Sequence, residues 1–165
     1  ISYLSKAFDN YARSFSISTD PYDAQCLDAT TNMIFIGHIL EELGDKTLLG
    51  HLKTCEAFEG VKDIRTHLLT IYKNINTKET SNVDLDVRIG IAEAEYALLL
   101  FKNNFIADAK IDLVTKFKDV FLQLYSPRYI NIEVLQIGFL EHYTKDEVIR
   151  IQLKQIKEEI FKLGD

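Results

Sequence analysis

Residues 144–163 read TKDEVIRIQLKQIKEEIFKL, and this stretch decides the fold class. Ile149, Leu153, Ile156, Ile160 and Leu163 recur at intervals of four, three, four and three residues, which places them on one narrow stripe of an α-helix. Lys154, Lys157, Glu158 and Lys162 fill much of the other side. Thr144 followed by Glu147 reads as a capping box that opens the helix. Two heptads hold a dimer seam only weakly, so the last helix is expected to fold back on residues 128–142 of the same chain.

That preceding segment starts after a break at Ser126-Pro127. Ile130, Asn131, Ile132, Glu133 and Val134 alternate as a strand would, but Leu135, Ile137, Phe139 and Leu140 break the period of two. A lone strand would have no partner, so the segment is predicted to be helical. Val134, Ile137, Leu140 and its other apolar residues give it more apolar surface than one neighbour can cover. It needs covering from two directions.

The same periodicity runs back through the chain. Residues 105–125 carry a stripe of Ile106, Ala109, Leu113, Phe117, Val120 and Leu124. The segment 83–103 is apolar nearly all round and is expected to be buried on several sides. Ahead of it, 76–82 is the one clear polar linker, and Ser81 with Asp84 resembles a capping box. Helical spacing also marks 61–75, 45–59 (Leu48, Leu52, Cys55, Phe58) and 2–16 (Leu4, Phe8, Tyr11, Phe15). The helix from Pro21, capped by Asp20, carries Ala29, Met33, Ile36, Leu40 and Leu43 and is closed by Gly44. The prediction is an all-α chain of about eight helices in antiparallel hairpins (2–43, 45–75, 83–125, 127–163), as a compact multi-helix bundle or a short irregular α-solenoid. It is read as a single helical domain, 1–165, or as two helical halves, 1–75 and 83–165, joined by the linker 76–82. No residue signature recurs, and the tetratricopeptide pattern fails over 83–125 at its aromatic and small positions.

Composition narrows the function classes. Of 165 residues, 47% are hydrophobic and 27% charged, the proportions of a globular chain. Nineteen basic against twenty-five acidic side chains leave a net charge of −6, with no basic face for nucleic-acid phosphates. Residues 1–76 carry ten acidic and seven basic side chains and 77–165 carry fifteen and twelve, an even spread. No apolar run is long enough to span a membrane. The opening at Ile1 shows no leader pattern, and the chain reads as part of something longer. Cys26 lies 18 residues before Gly44 and Cys55 lies 11 after it. On an antiparallel pair that offset is roughly 10 Å, too far for a disulfide. Two reduced thiols point to the cytoplasm or another reducing intracellular compartment.

Each candidate site has a plainer alternative role. His38 with Glu41 or Glu42, together with His51 and His67, has the residue types of a metal site. The Glu-x-x-His motif of helical di-metal proteins is absent, so a surface pair near a helix C-terminus is favoured. Glu93 and Glu95, with Arg88 two turns before Glu95, lie in the most apolar segment. Either Glu93 is a raised-pKa acid or base in a pocket, or Glu93 and Glu95 border a solvent edge, and the edge is favoured. Tyr125, Arg128 and Tyr129 surround a proline turn and have the residue types of a binding hot spot, against the plainer role of a helix corner. No arginine has a histidine at the spacing of helical ribonuclease toxins, and no phosphate loop, paired Cys-x-x-Cys or Gly-x-Ser-x-Gly elbow occurs.

The expectation is therefore a non-enzymatic, soluble helical module for protein–protein interaction, regulation or scaffolding. Its partner would be a protein rather than a nucleic acid or a membrane, and it would need no cofactor and no metal. Candidate binding residues are Arg88, Glu93, Glu95, Tyr125, Arg128 and Tyr129. The alternatives are an all-α hydrolase or nuclease assembled from Glu93, Glu95, His38, His51 or His67, and a pocket for a small apolar ligand between helices.

Overall fold

Five helices carry most of the described residues: α1 (Ser2–Ile17), α2 (Ala24–Glu42), α3 (Leu48–Lys53), α4 (Pro127–Tyr143) and α5 (Glu147–Phe161). They belong to a computed structural model that describes residues 1–17, 24–53, 92–93, 97, 100, 114–115, 117–119, 121 and 127–163. No strand occurs among the described residues. The all-α class is as predicted, but the count of about eight helices is not matched. The segment predicted to be helical from 45 enters its helix only at Leu48, because the residues before it are used in a turn. The predicted linker 76–82, the helix over 61–75 and Cys55 lie outside the described residues.

The chain divides into two compact units, Ile1–Phe101 and Lys102–Asp165. Charge follows that division unevenly. The first unit holds nine basic and fifteen acidic residues and the second ten of each, so the net −6 belongs to the first.

In the first unit α1 packs on α2, and α2 on α3. α1 is amphipathic: Phe8 and Phe15 are buried, whereas Lys6, Asp9 and Arg13 are exposed. α2 is buried almost all round, with Ala29, Met33, Ile34, Ile39 and Leu40 at 3% exposure or less. Among its described side chains, Asp28, Asn32, Ile36 and the terminal Glu41 and Glu42 mark its solvent edge. The sequence assigned all-round burial to 83–103. Its described residues Ala92, Glu93, Ala97 and Leu100 are buried too, but α2 shares that role. Cys26 is a buried thiol on α2.

The end of α2 shows why Gly44 is there. Its φ of 86° is left-handed, which glycine adopts without a Cβ penalty. Gly44 N–H donates to the Glu41 carbonyl (3.0 Å) and Asp45 N–H to the Leu40 carbonyl (3.0 Å). These are the two bonds of a Schellman cap, which satisfy carbonyls the helix leaves open. α3 then starts on Thr47, whose Oγ1 accepts from Gly50 N–H (3.0 Å), while Glu41 Oε2 reaches back to accept from Leu48 N–H (2.9 Å). Gly37 is the point of closest approach. A Cβ there would lie 2.8 Å from Leu48 Cδ1 and 3.6 Å from Phe8 Cε2.

In the second unit α5 packs on α4, as the seam of the last helix predicts. Ile149, Leu153, Ile156 and Ile160 are all buried, facing Ile130, Ile137 and Leu140. Each such side chain contributes about 1.5–3 kcal/mol when fully buried, so the hairpin is held by this seam. Phe117 and Phe121, stacked with centroids 5.5 Å apart, are also buried in this unit. The predicted capping box is corrected. Asp146, with extended backbone, caps α5 through Oδ1, which accepts from Val148 N–H (3.0 Å) and Ile149 N–H (3.2 Å). The Thr144 hydroxyl instead donates to the Leu140 carbonyl (2.8 Å) and finishes α4. Three residues separate the two helices, too few for Thr144 to serve both.

Candidate functional site

The face of α4 next to its buried stripe carries Gly138, Glu141 and His142. The matching face of α5 carries Glu147, Arg150, Ile151, Lys154 and Lys157. Together they enclose an open cleft of about 510 Å³. Helical spacing produces this arrangement: both sets repeat at three and four residues, displaced by one step from the buried seam. Gly138 forms the dent, with the Lys157 stem passing 3.5 Å from where its Cβ would be.

Charges in the cleft are mostly paired. Lys157 Nζ bonds Glu141 Oε2 across the two helices, partly shielded from water. Arg150 bonds Glu147 one turn away in solvent, and this carboxylate holds the guanidinium above its ordinary pKa. Lys154 is the least engaged, 4.0 Å from Glu158 and 60% exposed. Three cations and two carboxylates line the cleft, and Glu158 at its edge is the partner of the third cation. The two exposed pairs, Arg150–Glu147 and Lys154–Glu158, are screened by solvent and add little to stability. The lining is also too charged to suit a small apolar ligand.

Beside this cleft α4 turns an apolar stripe outward. Ile132, Leu135 and Phe139 are 44%, 72% and 47% exposed, at positions i, i+3 and i+7. Phe139 leans on Tyr143 (ring centroids 4.9 Å), and His142 meets the same ring edge-on. Ile151, in the cleft lining on α5, is 46% exposed. None of the candidate site residues expected from the sequence lies on this stripe. Its one signal was the surplus of apolar residues on α4, more than a single neighbour could cover.

The histidines proposed as surface pairs are not on the surface. His38 is 4% exposed and His51 8%, both in the first unit. Burial of α2 on all sides accounts for His38, and the missing side chain at Gly37 lets α3 bring His51 inward. His51 Nε2 lies 3.9 Å from Asp45 Oδ2, and its ring meets Phe8 at 5.5 Å. Glu41 serves as the α3 cap, and Glu42 is half-buried.

Glu93 is buried at 9% exposure rather than on a solvent edge. Its charge reaches Tyr11, whose phenol is raised above its ordinary pKa first by burial, then by Asp28 and Glu93. Burial likewise raises the Asp28 carboxyl, an effect its hydrogen bond from Asn32 opposes. Arg128 is exposed and Tyr129 half-buried in the first turn of α4, and neither lines the cleft. Arg88, Glu95, Tyr125 and His67 lie outside the described residues.

Among the described residues no group of three or more His, Cys, Asp or Glu is placed to hold a metal ion, and no helix is long and apolar enough to cross a membrane. No family model matches the chain, and neither a curated protein nor a solved structure matches it.

Proposed function

We propose that this chain is a helical interaction module whose second unit docks a protein partner on the outward face of α4. The observation that carries this reading is the register of Ile132, Leu135 and Phe139, three large apolar side chains exposed on one helical stripe beside a cleft. Apolar area left in water forgoes about 25 cal/mol per Å², and a contiguous patch with a polar rim is the usual mark of an interaction surface. Scattered exposed leucines need no such account. A seam with a/d spacing does.

The test places a photo-crosslinking residue at position 135 and, separately, at the exposed Gln155 on α5, in cells that make the protein. The docking reading expects a discrete adduct at 135 that is absent at 155 and disappears when Phe139 is also replaced by Glu. Equal labelling at both positions, or an adduct indifferent to Phe139→Glu, would remove the basis for it.

A further inference from the structure

We infer, resting on the docking reading above, that the occupant of the α4–α5 face is an amphipathic helix of another protein with an acidic flank. The shape of the site argues for a helix. Ile132, Leu135 and Phe139 follow the spacing by which one helix meets another, and the groove beside them runs between two packed helices. A third helix laid along α4 would put its apolar stripe on Ile132, Leu135 and Phe139. Its flank would lie over the cleft cations.

Charge argues for an acidic flank. Glu141 and Glu147 are each engaged by a cation of the same unit, Lys157 and Arg150. An incoming lysine would have to compete with those pairs. An incoming carboxylate finds Lys154, held only at 4.0 Å by Glu158, and the unused donors of Arg150 and Lys157. The most loosely held charge lining the cleft is therefore a cation, Lys154.

Two synthetic helical peptides of about five turns serve as probes, sharing one leucine stripe. One carries glutamates along its flank and the other lysines. Each is titrated into the full isotope-labelled chain at physiological salt, with backbone amide shifts as the readout. The inference expects the glutamate peptide to shift the amides of Leu135, Phe139, Ile151 and Lys154 and to bind more tightly by about two- to fivefold for each pair formed. Lys154→Glu, at an exposed position, should narrow or reverse that preference. If the lysine peptide binds at the same amides equally well or better, the acidic flank is wrong while the docking surface stands. If neither peptide shifts this face, the docking reading fails and takes the inference with it.

Discussion

Gly37→Ala isolates one contact from the rest of the fold. In a helix interior the exchange alone stabilises by about 0.8–1.0 kcal/mol, because alanine loses less backbone freedom. Here the new Cβ would sit 2.8 Å from Leu48 Cδ1, and Leu48 is only 4% exposed. Carbon atoms rest at about 3.5–4.0 Å, so Leu48 must retreat. Phe8 at 3.6 Å and His51 at 3.8 Å already touch the same position and leave no second direction. Overpacking of this kind costs about 1–3 kcal/mol. The clash wins, and the net expectation is a loss of about 0–2 kcal/mol.

Gly138→Ala provides the contrast. Its Cβ would meet Lys157 Cδ at 3.5 Å, an ordinary contact, so propensity wins and the variant gains about 0.5–1 kcal/mol. Urea unfolding followed by far-UV circular dichroism measures both. In a Leu48→Ala background Cδ1 is gone, and Gly37→Ala should change sign and stabilise. The reasoning is refuted if Gly37→Ala stabilises as much as Gly138→Ala, or if its cost survives the removal of Leu48 Cδ1.

Other expectations follow from the same physics. Ile156→Ala, at a position with no exposure, should cost about 2–5 kcal/mol and leave a less stable monomer by light scattering; a neutral result would show the seam misplaced. Asp146→Ala should cost about 0.5–2 kcal/mol as a lost cap. Thr144→Val should cost less, by the same unfolding measurement, because Thr144 does not cap α5. Asp28 has a folded-state pKa raised by burial, so its favourable contribution is full below its ordinary 3.8 and is lost as pH rises through the folded value. Asp28→Asn should therefore stabilise the protein at neutral pH, with the gain shrinking as pH falls toward 3.8; a gain that grows on acidification contradicts the sign.

What the sequence disclosed was periodic. The stripes of α1, α4 and α5 were legible because one face of each is apolar, and Gly44 was legible because left-handed backbone selects glycine. The fold-back of α5 followed from a seam too short to hold a dimer. The start of α5 misled because Thr144 and Glu147 have the capping-box spacing, while the competing hydrogen bond from Thr144 to Leu140 is a property of the finished hairpin. His38 and His51 were misplaced for a related reason. Periodicity shows which residues share a face, but the all-round burial of α2 depends on how many neighbours converge on it. The even spread of charge was an artefact of the chosen boundary, since division at Phe101 assigns the whole excess to one unit. The docking stripe was half legible: the surplus on α4 was visible, and only packing shows which part of it is left in water.

The most direct test of the account is the unfolding free energy of Leu135→Glu in the isolated protein. If Leu135 is held in water for a partner, a charge there replaces an exposed apolar group and stability should change by no more than about 0.5 kcal/mol. A loss of about 2 kcal/mol or more would mean that the side chain is part of the core, because a buried carboxylate without compensation is what costs that much. In that case the outward face of α4 is not a docking surface.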